Sequence, residues 1–198
     1  VSYAYAGIYV GGHGANDGSF YGDRILVVEG GNVCNIVGGL KLQSYLSSKT
    51  CIYVKNGEVL NIVGGAGVSV TRGDRMIQVT GGTVKYSVSG GSNGFAANSS
   101  NTGELVGNSL VYIGGNATIG SGEVTYGNLY GVAPGTVCGA GNGNSSIAVS
   151  GKVYTSHVII DRNATITNSV YGGGNYGYVQ KGTLVPTDIT SSSNLIIE

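Results

Sequence analysis

Three stretches of this chain repeat one another at nearly constant spacing, and that periodicity narrows the folds open to it more than any other feature. They are Asp23-Arg-Ile-Leu-Val-Val-Glu-Gly-Gly-Asn-Val33, Lys49-Thr-Cys-Ile-Tyr-Val-Lys-Asn-Gly-Glu-Val59 and Asp74-Arg-Met-Ile-Gln-Val-Thr-Gly-Gly-Thr-Val84. Each is a short apolar run, a glycine-bearing turn and a valine. A second element follows each: Asn35-Ile-Val-Gly-Gly39, Asn61-Ile-Val-Gly-Gly65 and Ser87-Val-Ser-Gly-Gly91. Ile36, Ile62 and Val88 lie 26 and 26 residues apart, whereas Val28, Val54 and Val79 lie 26 and 25 apart.

Looser copies extend the pattern in both directions. Leu110-Val-Tyr-Ile-Gly-Gly115, Ile147-Ala-Val149 and Val158-Ile-Ile160 match the first element. Thr136-Val-Cys-Gly-Ala140 and Ser169-Val-Tyr-Gly-Gly173 match the second, as does Gly7-Ile-Tyr-Val-Gly-Gly12 near the start. Insertions between the later copies are expected as loops on the surface of a regular core.

Short β-branched runs bounded by Gly-Gly read as strands, and no helical period is present. A period near 26 is too long for a hairpin. Coiling such repeats stacks equivalent residues about 4.8 Å apart, so that roughly six coils make a rod about 30 Å long. Leu26, Ile52 and Ile77 then form one inward apolar column, Val28, Val54 and Val79 a second, and Val33, Val59 and Val84 a third. Alternation sends Val27, Tyr53 and Gln78 outward. Asp23, Lys49 and Asp74 share a register, as do Glu29 and Lys55, so opposite charges meet between neighbouring coils. The expectation is an all-β chain forming one domain over residues 1–198, whole or as a segment of a longer array.

Composition removes most other classes. Charged residues make up 10% of the chain and the net charge is zero, so no basic stripe is available to displace counterions from a nucleic acid. Disorder is excluded because 41% of the residues are apolar. Collagen is excluded because the 38 glycines do not recur at every third position and there are only 2 prolines. No apolar run approaches the length of a membrane span. Cys34, Cys51 and Cys138 fit neither a closed disulfide set nor a metal motif.

Val170-Tyr-Gly-Gly-Gly-Asn175, Asn61-Ile-Val-Gly-Gly-Ala-Gly67 and Val137-Cys-Gly-Ala-Gly-Asn142 resemble the glycine-rich repeats of bacterial cell-surface proteins that fold as right-handed parallel β-helices. The resemblance covers most of the chain. It implies a parallel right-handed β-solenoid and an extracellular role as an adhesin, stalk or fibre. Some relatives of that fold are polysaccharide lyases, but fold alone does not decide function.

Candidate sites are few. The ten carboxylates include no pair whose spacing marks an acid–base couple, and no enzyme is expected. Gly11-Gly-His-Gly-Ala-Asn-Asp17 resembles one calcium-binding nonapeptide, but the equivalent loops after Gly39 and Gly65 lack the aspartate. An ordinary turn is the expected reading, with no cofactor. His13 and His157 have no ligand at metal spacing and read as surface residues. The sequons at Asn98, Asn116, Asn144 and Asn163 are of a kind that arises by chance in so Asn/Ser/Thr-rich a chain.

Two features suggest contacts. Fourteen tyrosines without tryptophan point to glycan stacking, with Tyr53 and Tyr112 outward in one register and Tyr171, Tyr176 and Tyr178 clustered; each is equally an ordinary β-former. Ile25, Cys51 and Met76, with Cys34 and Leu60, fall opposite the core columns by parity, as an outer apolar strip. At one end Ile8, Tyr9 and Val10 read as the second half of a coil. At the other, Leu195, Ile196 and Ile197 match Leu26, Val27 and Val28 as a first half, and no polar cap is visible at either. These residues are the expected self-association ends, meeting further copies head to tail or neighbouring repeats.

Overall fold

The structure is a computed structural model describing residues 7–11, 22–39, 49–66, 70–93, 103–121, 133–142, 151–175, 177, 179 and 192–197. These residues form strands and turns without a helix. In chain order the strands are β1 (Gly7–Tyr9), β2 (Arg24–Val28), β3 (Asn32–Val37), β4 (Thr50–Val54), β5 (Glu58–Val63), β6 (Thr71–Arg72), β7 (Arg75–Val79) and β8 (Thr83–Ser89). There follow β9 (Leu105–Val106), β10 (Asn108–Ile113), β11 (Thr118–Ile119), β12 (Thr136–Cys138), β13 (Thr155–Ile160), β14 (Thr165–Ile166), β15 (Val170–Tyr171) and β16 (Ser192–Ile197).

Every pairing between these strands is parallel. The first repeat element builds a six-stranded sheet ordered β16-β13-β10-β7-β4-β2, and the second an eight-stranded sheet running β1-β3-β5-β8, then β11-β14 and β12-β15. A short third sheet pairs β6 with β9. Parallel strands in stacked sheets joined by glycine turns are consistent with a β-solenoid.

The register follows the sequence columns. Leu26 pairs with Ile52 and Ile52 with Ile77, while Val28 pairs with Val54 and Val54 with Val79. Val33, Val59 and Val84 make the third column, and Ile36, Ile62 and Val88 a fourth. Their side chains meet in one core with Ile113, Ile119, Val137 and Val158. Complete burial of one such Val or Ile contributes roughly 1.5–3 kcal/mol.

Spacings of 25 and 26 residues coexist for a visible reason. The β5–β8 register shifts between Val59 and Asn61, so that Val59 opposes Val84 but Asn61 opposes Ser87. This irregularity gives β8 one extra residue and returns the glycine pairs to step. In the later layers the second element is split. Thr118 and Ile119 pair with Thr83 and Val84, whereas Thr136 and Val137 pair with Ser87 and Val88. The insertion leaves and returns through Gly120 and Gly135, both at positive φ.

One expectation needs correcting. Lys55 does pair with Glu29, at 3.0 Å, but Asp23 and Asp74 do not ion-pair with Lys49 among the described residues. Asp23 Oδ1 instead accepts the backbone N–H of Lys49 at 3.3 Å. A short aspartate at a strand start reaches the next layer's backbone more readily than it reaches a solvated ammonium head.

Candidate functional site

A groove of about 450 Å³ crosses the outer face of the six-stranded sheet at the starts of β4, β7, β10 and β13. Alternation along each strand puts two outward columns there. One carries Cys51, Met76, Leu110 and His157 in consecutive register, all half-buried. It continues the outer apolar strip read from the sequence, whose first member, Ile25, is 67% exposed. The other column carries Lys49, Asp74, Asn108 and Thr155.

The polar column is knitted together by its own side chains. Asn108 donates from its backbone N–H and from Nδ2 to Asp74 Oδ1, at 3.0 Å each. Its Oδ1 accepts the Thr155 hydroxyl at 2.7 Å. Among the described residues the second oxygen of Asp74 accepts no hydrogen bond. Beneath this face lies Arg75, 2% exposed, whose guanidinium donates to the carbonyls of Arg72, Gly73 and Asp74. Burial pushes its pKa down to about 10; Arg24 nearby acts in the same direction and Asp74 against it.

The tyrosines expected to face a ligand stand beside this groove or away from it. Tyr53 and Tyr112 occupy one outward column with Gln78 between them. The Tyr112 ring lies across Gly114, where any Cβ would meet it at 2.5–2.7 Å, and its hydroxyl donates to Asp161 Oδ2 at 3.2 Å. Tyr171 is exposed on the other sheet, while Tyr176 and Tyr178 lie outside the described residues. So do His13 and Asp17 of the calcium-like turn, the Ile147–Val149 copy, and the sequons at Asn98 and Asn144. Asn116 and Asn163 are exposed.

Sequence spacing gives His157 no ligand partner and marks it as a surface residue, yet it lines the groove with Cys51, Asp74 and Lys49. The available signal was columnar: aligning Val158 with Val111 places His157 on Leu110, and hence in line with Met76 and Cys51. Of the residues named at the ends, Ile8 and Tyr9 lie in β1 with Val10 just after it, and Leu195, Ile196 and Ile197 lie in β16. Ile8 is 38% exposed, Ile197 69% and Ile196 48%. Val10 packs on the core, and burial raises the Tyr9 phenol pKa above its ordinary value. Leu195 lies in β16, paired in register with Val158.

Among the described residues no cluster of His, Cys, Asp and Glu could hold a metal ion, and no helix is long and apolar enough to cross a membrane. Compared with known proteins, the chain matches no family model, no curated protein and no solved structure.

Proposed function

We propose that this chain is a non-catalytic structural rod of an extracellular surface, a stalk, adhesin module or filament subunit built as a right-handed β-solenoid of about six coils with a period near 26. Rigidity comes from the parallel backbone ladders and contacts from the loops and ends. One observation carries the reading: two positions of the interior columns are open at opposite ends. Ile8 stacks in register on Ile36, and Ile197 on Ile160. Ile36, Ile62, Val54, Val79 and Ile113 in those columns are completely buried, so Ile8 and Ile197 are core positions awaiting one more layer.

The two ends are also stepped. The eight-stranded sheet reaches one layer further at β1, and the six-stranded sheet one layer further at β16. Adding a second copy head to tail sets its β2 beside β16 and its β1 beside β15, so each overhang fills the other's step. Register then places Ile197 on Val28 and Val170 on Ile8, apolar on apolar. Strand addition of this kind satisfies edge backbone groups and buries the end columns together, and a non-closing contact propagates as a filament.

Negative-stain microscopy and light scattering of the purified chain test this. Fibres one molecule wide, lost on Ile197→Glu without change in the thermal unfolding of the monomer, are expected. Monodisperse short rods at high concentration would contradict self-assembly and leave the layers to neighbouring repeats.

A further inference from the structure

The outer groove is built for a ligand of a particular chemistry, independently of how the ends assemble. Its two columns run side by side across β4, β7, β10 and β13, one polar and one apolar. The polar column is preset. Asn108 is held through its backbone N–H, one amide hydrogen and its carbonyl oxygen. What remains pointing from the column is the second oxygen of Asp74 as an acceptor, the second amide hydrogen of Asn108 as a donor, and the lone pairs of the Thr155 hydroxyl. Because the three side chains already hold one another, a ligand meets them without the entropic cost of ordering them.

The apolar column, Cys51, Met76 and Leu110, offers aliphatic carbon and soft sulfur but few hydrogen-bonding groups. A ligand matching both columns must be polar along one edge and apolar on one face. It must also repeat on the scale of the strand spacing, about 4.8 Å. A pyranose chain has these properties: hydroxyls on its rim, C–H groups on its ring faces, and a ring-to-ring advance close to one strand step. Three charged side chains line the groove, Lys49, Asp74 and Arg75, but Arg75 is 2% exposed and spends its guanidinium on backbone carbonyls. A ligand therefore meets one exposed charge of each sign and no cationic track for an acidic polymer. An extended peptide is a poorer fit, because the sheet's backbone groups are already engaged in the parallel ladder and offer an incoming strand nothing to pair with. The volume falls within the range of small-ligand clefts.

We infer that the groove over Asp74, Asn108 and Thr155 binds a neutral oligosaccharide, laid along the rod axis with its hydroxyl edge on the polar column and its ring faces on Met76 and Leu110. His157 closes the groove at the β13 end. Tyr53 and Tyr112 stand one column away as its apolar bank.

Calorimetric titration of the 198-residue chain with tetrasaccharides of β-1,4-glucan, β-1,4-mannan, β-1,4-xylan and α-1,4-glucan, and with tetragalacturonate as the charged comparator, tests the inference. Saturable binding of at least one neutral tetrasaccharide is expected, weakened about tenfold or more by Leu110→Glu and by Asn108→Ala. Tyr171→Ala, on the other sheet, leaves it unchanged. Amide shift mapping on the unmodified protein guards against variants that fail to fold: the perturbed amides should centre on residues 49–51, 74–76, 108–110 and 155–157. Absence of saturable binding to all four neutral probes would overturn the inference. So would perturbation centred elsewhere, or binding confined to the uronate.

Discussion

Within the stacked parallel sheets, the buried side-chain amide of Asn61 donates to Asn35 Oδ1 at 2.8 Å, joining residues 26 apart. Ser87 donates in turn to Asn61 Oδ1 at 3.1 Å, so three consecutive layers share one buried polar ladder. A slip of one residue in any layer would bring Ile36 or Ile62 to this column and leave an amide unpaired. The ladder therefore selects the register while the apolar columns supply most of the stabilisation.

Asn61→Ala removes both bonds, taking from the buried Asn35 Oδ1 and Ser87 hydroxyl the contacts each makes with Asn61. Its expected cost is about 2 kcal/mol, read from urea unfolding. A change below about 0.5 kcal/mol would show that the ladder is not buried as described.

The glycine pairs make a sharper case. A Cβ on Gly64 would sit 2.2 Å from the carbonyl oxygen of Gly90, and one on Gly90 would sit 2.1 Å from that of Gly139. The corner admits no side chain because the next layer's backbone passes directly against it. Gly90→Ala should cost on the order of 3 kcal/mol or prevent folding. Gly30, with nothing within 4 Å of its added Cβ, should accept alanine within about 0.5 kcal/mol. Thermal or urea unfolding of the two variants checks the contrast.

The three cysteines should separate by layer position. Cys34 and Cys51 are half-buried on outer faces, while Cys138 lies wholly within the structure. Burial pushes the Cys138 thiol up to about 12, against a smaller opposing hydrogen bond from the backbone of Asn175. At mildly alkaline pH iodoacetamide should modify Cys34 and Cys51 in the native protein and reach Cys138 only after unfolding, as peptide mass spectrometry would show. An unfolded chain releases this proton near pH 9 and the folded one near 12, so the contribution of Cys138 to stability is complete below 9 and is lost as pH rises to 12. Cys138→Ala should flatten the alkaline decline across that window, measured as the difference from the unmodified protein.

Much of this fold was legible because a parallel stack repeats its chemistry at fixed intervals. Val28, Val54 and Val79 were placed on one another by spacing alone, and so were Ile36, Ile62 and Val88. Parity then placed Cys51 and Met76 on the outer face. Side-chain events that depend on one layer were not legible. Arg75 turns inward because three successive carbonyls, of Arg72, Gly73 and Asp74, receive its guanidinium, and no side-chain pattern announces a cluster of backbone acceptors. Tyr112 lies flat because Gly114 leaves room and Asp161, 49 residues along, holds its hydroxyl. The groove needed both columns at once, so His157 gained its place only through an alignment across the irregular later repeats.

Hydrogen bonds that pass from one layer to the next offer the most direct test. Lys55 N–H donates to Val28, Thr80 to Val54, Gly114 to Val79 and Asp161 to Ile113, at 2.8–2.9 Å. Through-hydrogen-bond scalar couplings in isotope-labelled protein should connect these four amide–carbonyl pairs. Couplings to other residues, or close Hα–Hα contacts of the antiparallel kind between β4 and β7, would contradict the stacked parallel layers.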